Sequence, residues 1–268
     1  MDSSTMLSIK EFSDFTGLSE STLRYYDKIG LLSPVCRGEN RYRYYTPFQT
    51  IMINFIKVLS SLGVSLSVIR TMSNERTPQR MLALLAQQEK KLNMRLVDLQ
   101  TTYSIIHTFR DNIQTGISVE ENDIGVQEME EICFALGQVN DFANSKTFYG
   151  PFMRFCSQAH ENKINLKYPI GGYYETLDVF LKEPSQPTRF FSLDPSGDNR
   201  RKAGKYLVAY QKGYYGELEA VPKKLLAYAK KHNITLSGPL FVIYLLDEVS
   251  VINHTQYLSQ VMVGVSKK

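Results

Sequence analysis

Tryptophan is absent from this 268-residue chain, cysteine occurs three times and histidine four times. Cys36, Cys133 and Cys156 lie far apart and are odd in number, which argues against a disulfide framework. His107, His160, His232 and His254 are equally scattered, and neither H-E-x-x-H nor C-x-x-C occurs, so no metal site is expected. No apolar run approaches the ~18 residues of a membrane-spanning helix. The first residues lack a basic stretch leading into an apolar segment, so the chain reads as soluble and cytoplasmic, without membrane contact. Paired carboxylates or a nucleophile beside a base do not stand out by spacing. His254 near Asp247-Glu248 comes nearest, and a surface loop explains it better. Catalytic residues and cofactors are therefore expected to be none. What the chain does have is aromatic: 17 Tyr and 14 Phe, within 43% hydrophobic and 22% charged residues. That is ample for a sizeable core, and the length suggests two domains.

The net charge of +4 is unevenly spread. Residues 1–75 carry eight Lys/Arg against seven acids, residues 76–117 six against three, and residues 118–268 seventeen of each. From Arg24 to Lys57 six basic side chains meet only Asp27 and Glu39, and five tyrosines share the window: Tyr25, Tyr26, Tyr42, Tyr44 and Tyr45. Basic side chains interleaved with aromatics suit a phosphate-contacting surface. Taken alone, the cluster fits a solvated charged face better.

Local pattern changes that balance. Ser8 and Glu11 have capping-box spacing, and Ile9, Phe12 and Phe15 form an apolar stripe. Thr16-Gly17-Leu18 makes a tight turn, Ser19 can cap a second helix running to Ile29, and Gly30 stands where a left-handed residue belongs. Helix, glycine turn, helix is the pattern whose second helix enters a major groove. On it Leu23 faces inward, while Arg24, Tyr25 and Lys28 face outward. A basic hairpin around Gly38-Glu39-Asn40 follows, with Arg37 ahead of it. Arg41-Tyr42-Arg43-Tyr44-Tyr45 then alternates at the strand period, as a wing against DNA backbone would. Thr46 and Pro47 predict the start of a third helix running to Gly63, and Ser65 caps a fourth ending near Met72.

The run STLRYYDKIGLL over 21–32, with NRYRYY over 40–45 and LGVSL over 62–66, resembles the MerR family of bacterial transcription regulators. The resemblance covers residues 7–72. It implies DNA contacts at Arg24, Tyr25, Tyr26, Arg41, Tyr42, Arg43 and Lys57. Lys28 and Arg37 join them by charge and position. Tyr26 and Tyr44 fit equally well as buried rings of a small core. Gln49 replaces a common family acid, a departure expected to matter little.

Leu85, Leu92, Leu99, Ile106 and Ile113 recur every seventh residue, so a continuous helix from about Pro78 to Asn112 is expected, roughly 50 Å long. Such a helix has no partner within the first domain and pairs with its copy in a second chain. Packing on its own C-terminal domain is the alternative. The family resemblance implies an antiparallel coiled coil, hence a homodimer with two recognition helices one turn of DNA apart, or a multiple of it. Metal-sensing and redox-sensing relatives carry cysteines on or just beyond this helix, and residues 77–125 contain none.

Beyond it, a pattern repeats. Strand near 127–137, helix near 150–160 and strands near 172–182 and 189–193 are followed by strand 205–212, helix 221–232 and strands 240–246 and 257–265. Two β-α-β-β units predict an α+β domain whose halves meet along a cleft. AGKYLVAY over 203–210 and SGPLFVIY over 237–244 resemble the GyrI-like effector-binding domain, which in multidrug-sensing relatives takes hydrophobic, often cationic, small molecules. Aromatic walls bind such ligands by stacking and cation–π attraction. The candidates are Phe148, Tyr149, Tyr173, Tyr210, Phe241, Val242 and Tyr244, although over half of the domain's rings belong to the core. Val242 stands where the family often has a glutamate, so Glu217 is the substitute acid, with Glu219 and Glu175 behind it.

The expected architecture is α+β: a winged helix-turn-helix (1–75), a dimerisation helix (76–117) and a duplicated β-α-β-β ligand-binding domain (118–268). The expected function is a ligand-responsive activator that distorts promoter spacer DNA. Its partners are promoter double-stranded DNA, itself, RNA polymerase at the promoter and a lipophilic effector. A repressor or architectural protein released from DNA by ligand is the alternative, and an enzyme on the effector fold comes third.

Overall fold

The computed structural model describes residues 6–39, 41–142 and 148–267. They form two compact units, Met1–Asp98 and Leu99–Lys268.

In the first unit, strand β1 (Leu7–Ser8) leads into helix α1 (Ile9–Thr16), turn, helix α2 (Glu20–Lys28), strands β2 (Cys36–Arg37) and β3 (Arg43–Tyr45), and helices α3 (Gln49–Ser61) and α4 (Leu66–Asn74). The capping box is made: Ser8 N–H donates to Glu11 Oε2 at 2.7 Å while Glu11 N–H donates to Ser8 Oγ. Gly17 takes φ 67° and its N–H reaches Ser13 O, the left-handed stop that a β-carbon would strain. Ser19 and Ser65 cap α2 and α4 as expected. Phe12, Leu23, Tyr26, Tyr45, Ile53, Ile56, Leu59 and Ile69 make the core. β1 pairs with β3 in the order β1-β3-β2, a third strand that two residues of sequence could not announce.

Helix α3 begins at Gln49 rather than at Thr46-Pro47, and its first residues have no side-chain cap. Gln49 is not neutral. Its Oε1 accepts the Thr46 N–H at 3.0 Å and its Nε2 donates to Ser33 O at 2.8 Å, so the amide tethers the helix to the preceding loop. Helix α5 (Pro78–Ser118) runs six residues beyond the expected Asn112 and contributes to both units.

The second unit is an eight-stranded antiparallel sheet in the order β4-β9-β11-β10-β6-β7-β5-β8. Its strands are β4 (Ile124–Met129), β5 (Ile132–Val139), β6 (Ile170–Tyr174), β7 (Arg189–Ser192), β8 (Asn199–Arg201), β9 (Gly204–Lys212), β10 (Ile234–Leu246) and β11 (Leu258–Lys267). Helices α6 (Tyr149–Gln158), α7 (Leu177–Lys182) and α8 (Val221–His232) complete it. The repeat is present with one insertion: β5-α6-β6-α7-β7 and β9-α8-β10-β11 are the two units, α7 breaking the β-α-β-β order of the first. They abut where β10 pairs β6, Leu240 opposite Tyr174 through Ile243 opposite Gly171. Two expectations need correction. The strand near 127–137 is two strands, β4 and β5, broken at Glu130-Glu131. The strand near 172–182 ends at Tyr174, because Thr176 Oγ1 accepts the Val179 N–H and starts α7. Strand β8 was not anticipated.

Strand alternation sorts the core into two faces. Leu240, Val242 and Tyr244 of β10 join Leu207, Ala209, Val261 and Val263 on the α7 and α8 side. Phe241, Ile243 and Leu245 join Val208, Tyr210, Met262, Phe134 and Phe191 on the other.

Candidate functional site

Two surfaces carry the chemistry, one in each unit. In the first, α2 buries Leu23 and Tyr26 and leaves Arg24, Tyr25 and Lys28 exposed. Tyr26 is corrected: its ring belongs to the core and burial raises its hydroxyl pKa, so it is not part of the exposed face. Tyr44 is half-buried, and Tyr45, fully buried, stacks on Phe12 with centroids 4.5 Å apart. The strand alternation expected from Arg41 starts only at Arg43. Arg41 has φ 60° in the hairpin turn, so Arg41 and Tyr42 project from a turn and not from a strand face. Asn40 of that turn lies outside the described residues.

The basic side chains are pre-organised. Asp27, its side chain only 5% exposed, accepts both Arg37 Nη2 and Arg43 Nε on Oδ2 at 2.6 Å, tying recognition helix to wing. Arg24 pairs with Glu20 one turn earlier at 2.9 Å, an exposed contact worth little by itself. Lys57 Nζ donates to Thr16 O, one of the carbonyls at the end of α1, at 2.6 Å. Arg43→Ala should therefore weaken binding to every duplex sequence and lower the salt slope by about one. An unchanged slope in anisotropy titrations would remove Arg43 from the interface. Lys57→Ala should register in stability as well, because its ammonium is spent on a helix end.

The second surface is a cavity of about 560 Å³ in the Leu99–Lys268 unit. Phe148, Tyr149, Phe152 and Met153 reach it from the start of α6, and Tyr168 and Ile170 from the entry to β6. Phe190, Tyr214, Tyr215 and Tyr244 form further walls, and Asp247, Glu248 and Val249 close one side. Phe148 meets Phe190 edge-on at 4.9 Å and stacks near Tyr215 at 6.1 Å; Tyr215 meets Tyr244 edge-on at 4.6 Å. Tyr149 and Tyr214 share a hydroxyl hydrogen bond of 2.8 Å. That bond helps push Tyr214 up to about 12, while burial and the neighbouring Asp247 and Glu248 push Tyr215 far above its ordinary value. Tyr214 and Tyr215 are thereby held as neutral phenols. Burial also raises the Asp247 carboxyl, whose Oδ1 accepts the Val249 N–H at 3.0 Å.

Of the expected ligand residues, Phe148, Tyr149 and Tyr244 line this cavity. Tyr173, Tyr210 and Phe241 do not; alternation puts them on the opposite face of the sheet, where Tyr210 Oη accepts from Gln127 and Gln260. Val242 is buried in the core under α8. Glu217 is corrected too: it precedes α8 in a loop and its Oε2 accepts the Tyr214 N–H at 2.8 Å. Glu219 accepts from Ser185, and Glu175 lies 3.6 Å from Arg189. The acids at the cavity are Asp247 and Glu248, in the loop set aside from sequence. Phe109 also lines the cavity and was not among the candidates, because it lies on the long helix and not in the repeated α+β pattern.

Among the described residues no helix is long and apolar enough to cross a membrane, and no three His, Cys, Asp or Glu cluster to hold a metal ion. Residues 8–45 match the MerR family regulatory protein profile. The multidrug-efflux transporter 2 regulator of Bacillus subtilis (strain 168) is 22% identical over 262 residues, 96% of this chain and 95% of the relative. The multidrug-efflux transporter 1 regulator of the same organism is 33% identical over 191 residues, 70% of this chain and 62% of the relative. A solved structure of an EcmrR–DNA complex in EcmrR-RPo aligns with 98% of this chain and all of its own, at 18% identity and a TM-score of 0.38. With residues 8–45 matching that profile, the first unit is a MerR-type helix-turn-helix domain, in a chain similar over nearly its whole length to a multidrug-efflux transporter regulator.

Proposed function

We infer that the chain is a homodimeric activator that binds lipophilic cations and, when occupied, reshapes promoter DNA for RNA polymerase. The observation that carries this is the aromatic cavity with two acids on one side, in the same chain as the MerR-type domain. Rings at several angles accept flat apolar ligands without strict shape, and Asp247 with Glu248 supplies the charge that selects cations. Nothing at the wall holds a nucleophile against a base: among the described lining side chains the hydrogen-bonded pair is two tyrosines. Binding without turnover is the better reading. The relatives' names, which refer to multidrug efflux, point the same way.

The three parts are residues 1–75 for DNA, 76–117 for dimerisation and 118–268 for ligand. Arg24, Tyr25, Lys28, Arg37, Arg41, Tyr42, Arg43 and Lys57 form the DNA face. On α5, Leu85, Leu92, Leu99, Tyr103 and Ile106 stay exposed and suit a second copy of the helix. Deforming a 20–30 base-pair site costs on the order of 1–6 kcal/mol, which the occupied dimer's geometry must repay.

Titration of the full chain with tetraphenylphosphonium and with neutral triphenylphosphine oxide tests the ligand class. The cation should bind better, and Asp247→Asn should lower its affinity on the order of tenfold. Asp247 has a folded pKa above its unfolded one. The stability linked to it is complete at low pH and lost as pH rises through the folded value. Asp247→Asn should therefore raise Tm at neutral pH while weakening the cation. In the wild type, cation affinity should fall with acidification at a pH above the ordinary carboxylate range. Equal binding of the neutral compound, or no effect of Asp247→Asn, would remove the acid from recognition. A cation that raises transcription while the protein stays on DNA supports activation by distortion. A cation that strips the protein from DNA makes it a derepressing switch.

A further inference from the structure

The cavity is walled in part by the dimerisation helix itself. Phe109, Asn112 and Gly116 are spaced three and four residues apart, so they form one stripe of α5. Phe109 is a wall residue of the cavity. Gly116, two turns on, is buried so tightly that a β-carbon there would lie 2.7 Å from Leu246 Cγ and 3.3 Å from Leu245 Cβ. Leu245-Leu246 continue directly into Asp247, Glu248 and Val249, which close the same cavity. That loop is stiff: Asp247 N–H donates to Ser250 Oγ, Asp247 O accepts from Ser250 and Val251, and Asp247 Oδ1 accepts from Val249. The cavity therefore reaches α5 twice, through the Phe109 ring and through the strand end that seats Gly116.

Between these two contacts the Asn112 side-chain nitrogen is buried without a hydrogen-bond partner. A buried donor left unmade favours any displacement of the helix in which it is made. The stripe is thus close-packed at one end, ligand-facing at the other and unsatisfied in the middle. Leu99, Tyr103 and Ile106, on the neighbouring face, stay exposed and continue the seam assigned to the second copy.

We propose that Phe109 is the coupling residue of this regulator: a cation in the cavity bears on its ring and displaces α5 about the Gly116 seat, so occupancy is read by the dimer helix directly. This rests on the ligand-sensing reading above. A ligand shifts the helix only by as much as it prefers one position of Phe109 over the other.

The test uses the full-length protein in transcription on its promoter, with tetraphenylphosphonium at concentrations shown by calorimetry to saturate each variant. Saturation removes affinity from the comparison. Phe109→Ala should lose at least about fivefold of the maximal stimulation, the lower end of ordinary allosteric coupling, while Phe109→Leu retains most of it. Gly116→Ala needs no ligand. By pushing α5 off Leu246 it should change basal transcription with no cation present. Full stimulation of Phe109→Ala at saturation overturns the proposal, whatever Gly116→Ala does. Equal loss in the Ala and Leu variants, with basal transcription unmoved in a folded Gly116→Ala protein, overturns it as well. Wild-type protein that binds no cation in calorimetry fails the ligand reading first and takes this inference with it. A wild type that binds and responds, beside a responsive Phe109→Ala, fails this inference alone.

Discussion

If α5 pairs as proposed, replacing Leu92 and Leu99 together by aspartate is expected to convert dimer to monomer and to abolish tight operator binding. Both side chains are exposed on the single chain, at 38% and 65%, and stand one heptad apart on α5. An isolated chain tolerates charge at such positions. A paired helix does not, because four carboxylates would enter an apolar seam without partners. The consequence for DNA is larger than for folding. Two linked winged domains bind a two-half-site operator with an effective concentration that separate ones lack, so the loss should be on the order of 10²–10⁴ in affinity. Sedimentation equilibrium measures the first effect and anisotropy the second. An intact dimer in the doubly substituted protein would refute the seam.

Phe12→Ala should unfold the DNA-binding unit at physiological temperature. Its ring is fully buried and lies flat on Tyr45 at a 5° interplanar angle, joining α1 to the last strand of the wing. Deleting a buried Phe ring costs about 3–5 kcal/mol, much of the total stability of a small domain. Phe15, one turn along the same helix and 62% exposed, provides the control: Phe15→Ala should move stability by only about 0.5 kcal/mol. The two variants compared by circular dichroism separate core from surface on one helix. Equal melting would mean that Tyr45 and β3 are held without the stack.

The first unit was largely legible because its rules are local. A capping box spans four residues and a left-handed glycine stop is a property of one residue; the box appears at Ser8 and Glu11 and the left-handed glycine at Gly30, φ 67°, as expected, while Gly17, read as a tight turn, takes the same conformation. Errors arose where a longer-range partner intervened. Thr46 does not cap α3, which begins at Gln49 after Phe48, and the Gln49 amide instead ties the helix start to Ser33 of the preceding loop. Tyr26 and Tyr45 read as part of a basic aromatic surface, yet the packing of α2 and β3 turned both inward.

Apart from the MerR-type character, which came from the motif resemblance, caps, turns and periodicity indicated the helix-turn-helix, the long helix and the repeated α+β pattern, and composition the aromatic wealth of the second half. Those follow from intervals of two, three, four and seven residues, which a chain carries in itself. Membership of the cavity was a different matter. Phe241, Val242 and Tyr244 are consecutive or next-nearest in sequence, but strand alternation sends Phe241 to one face and the other two to the opposite one; only Tyr244 reaches the space under α6. Which face became the cavity wall depended on where α6, α8 and the 247–249 loop came to rest. Asp247 and Glu248 became the cavity's acids, and Glu217 did not, for the same reason. One pair closes a wall assembled from distant segments, and the other carboxylate is consumed by its own loop amide. Charge can be counted along a chain, but the direction in which it points is set by contacts made across it.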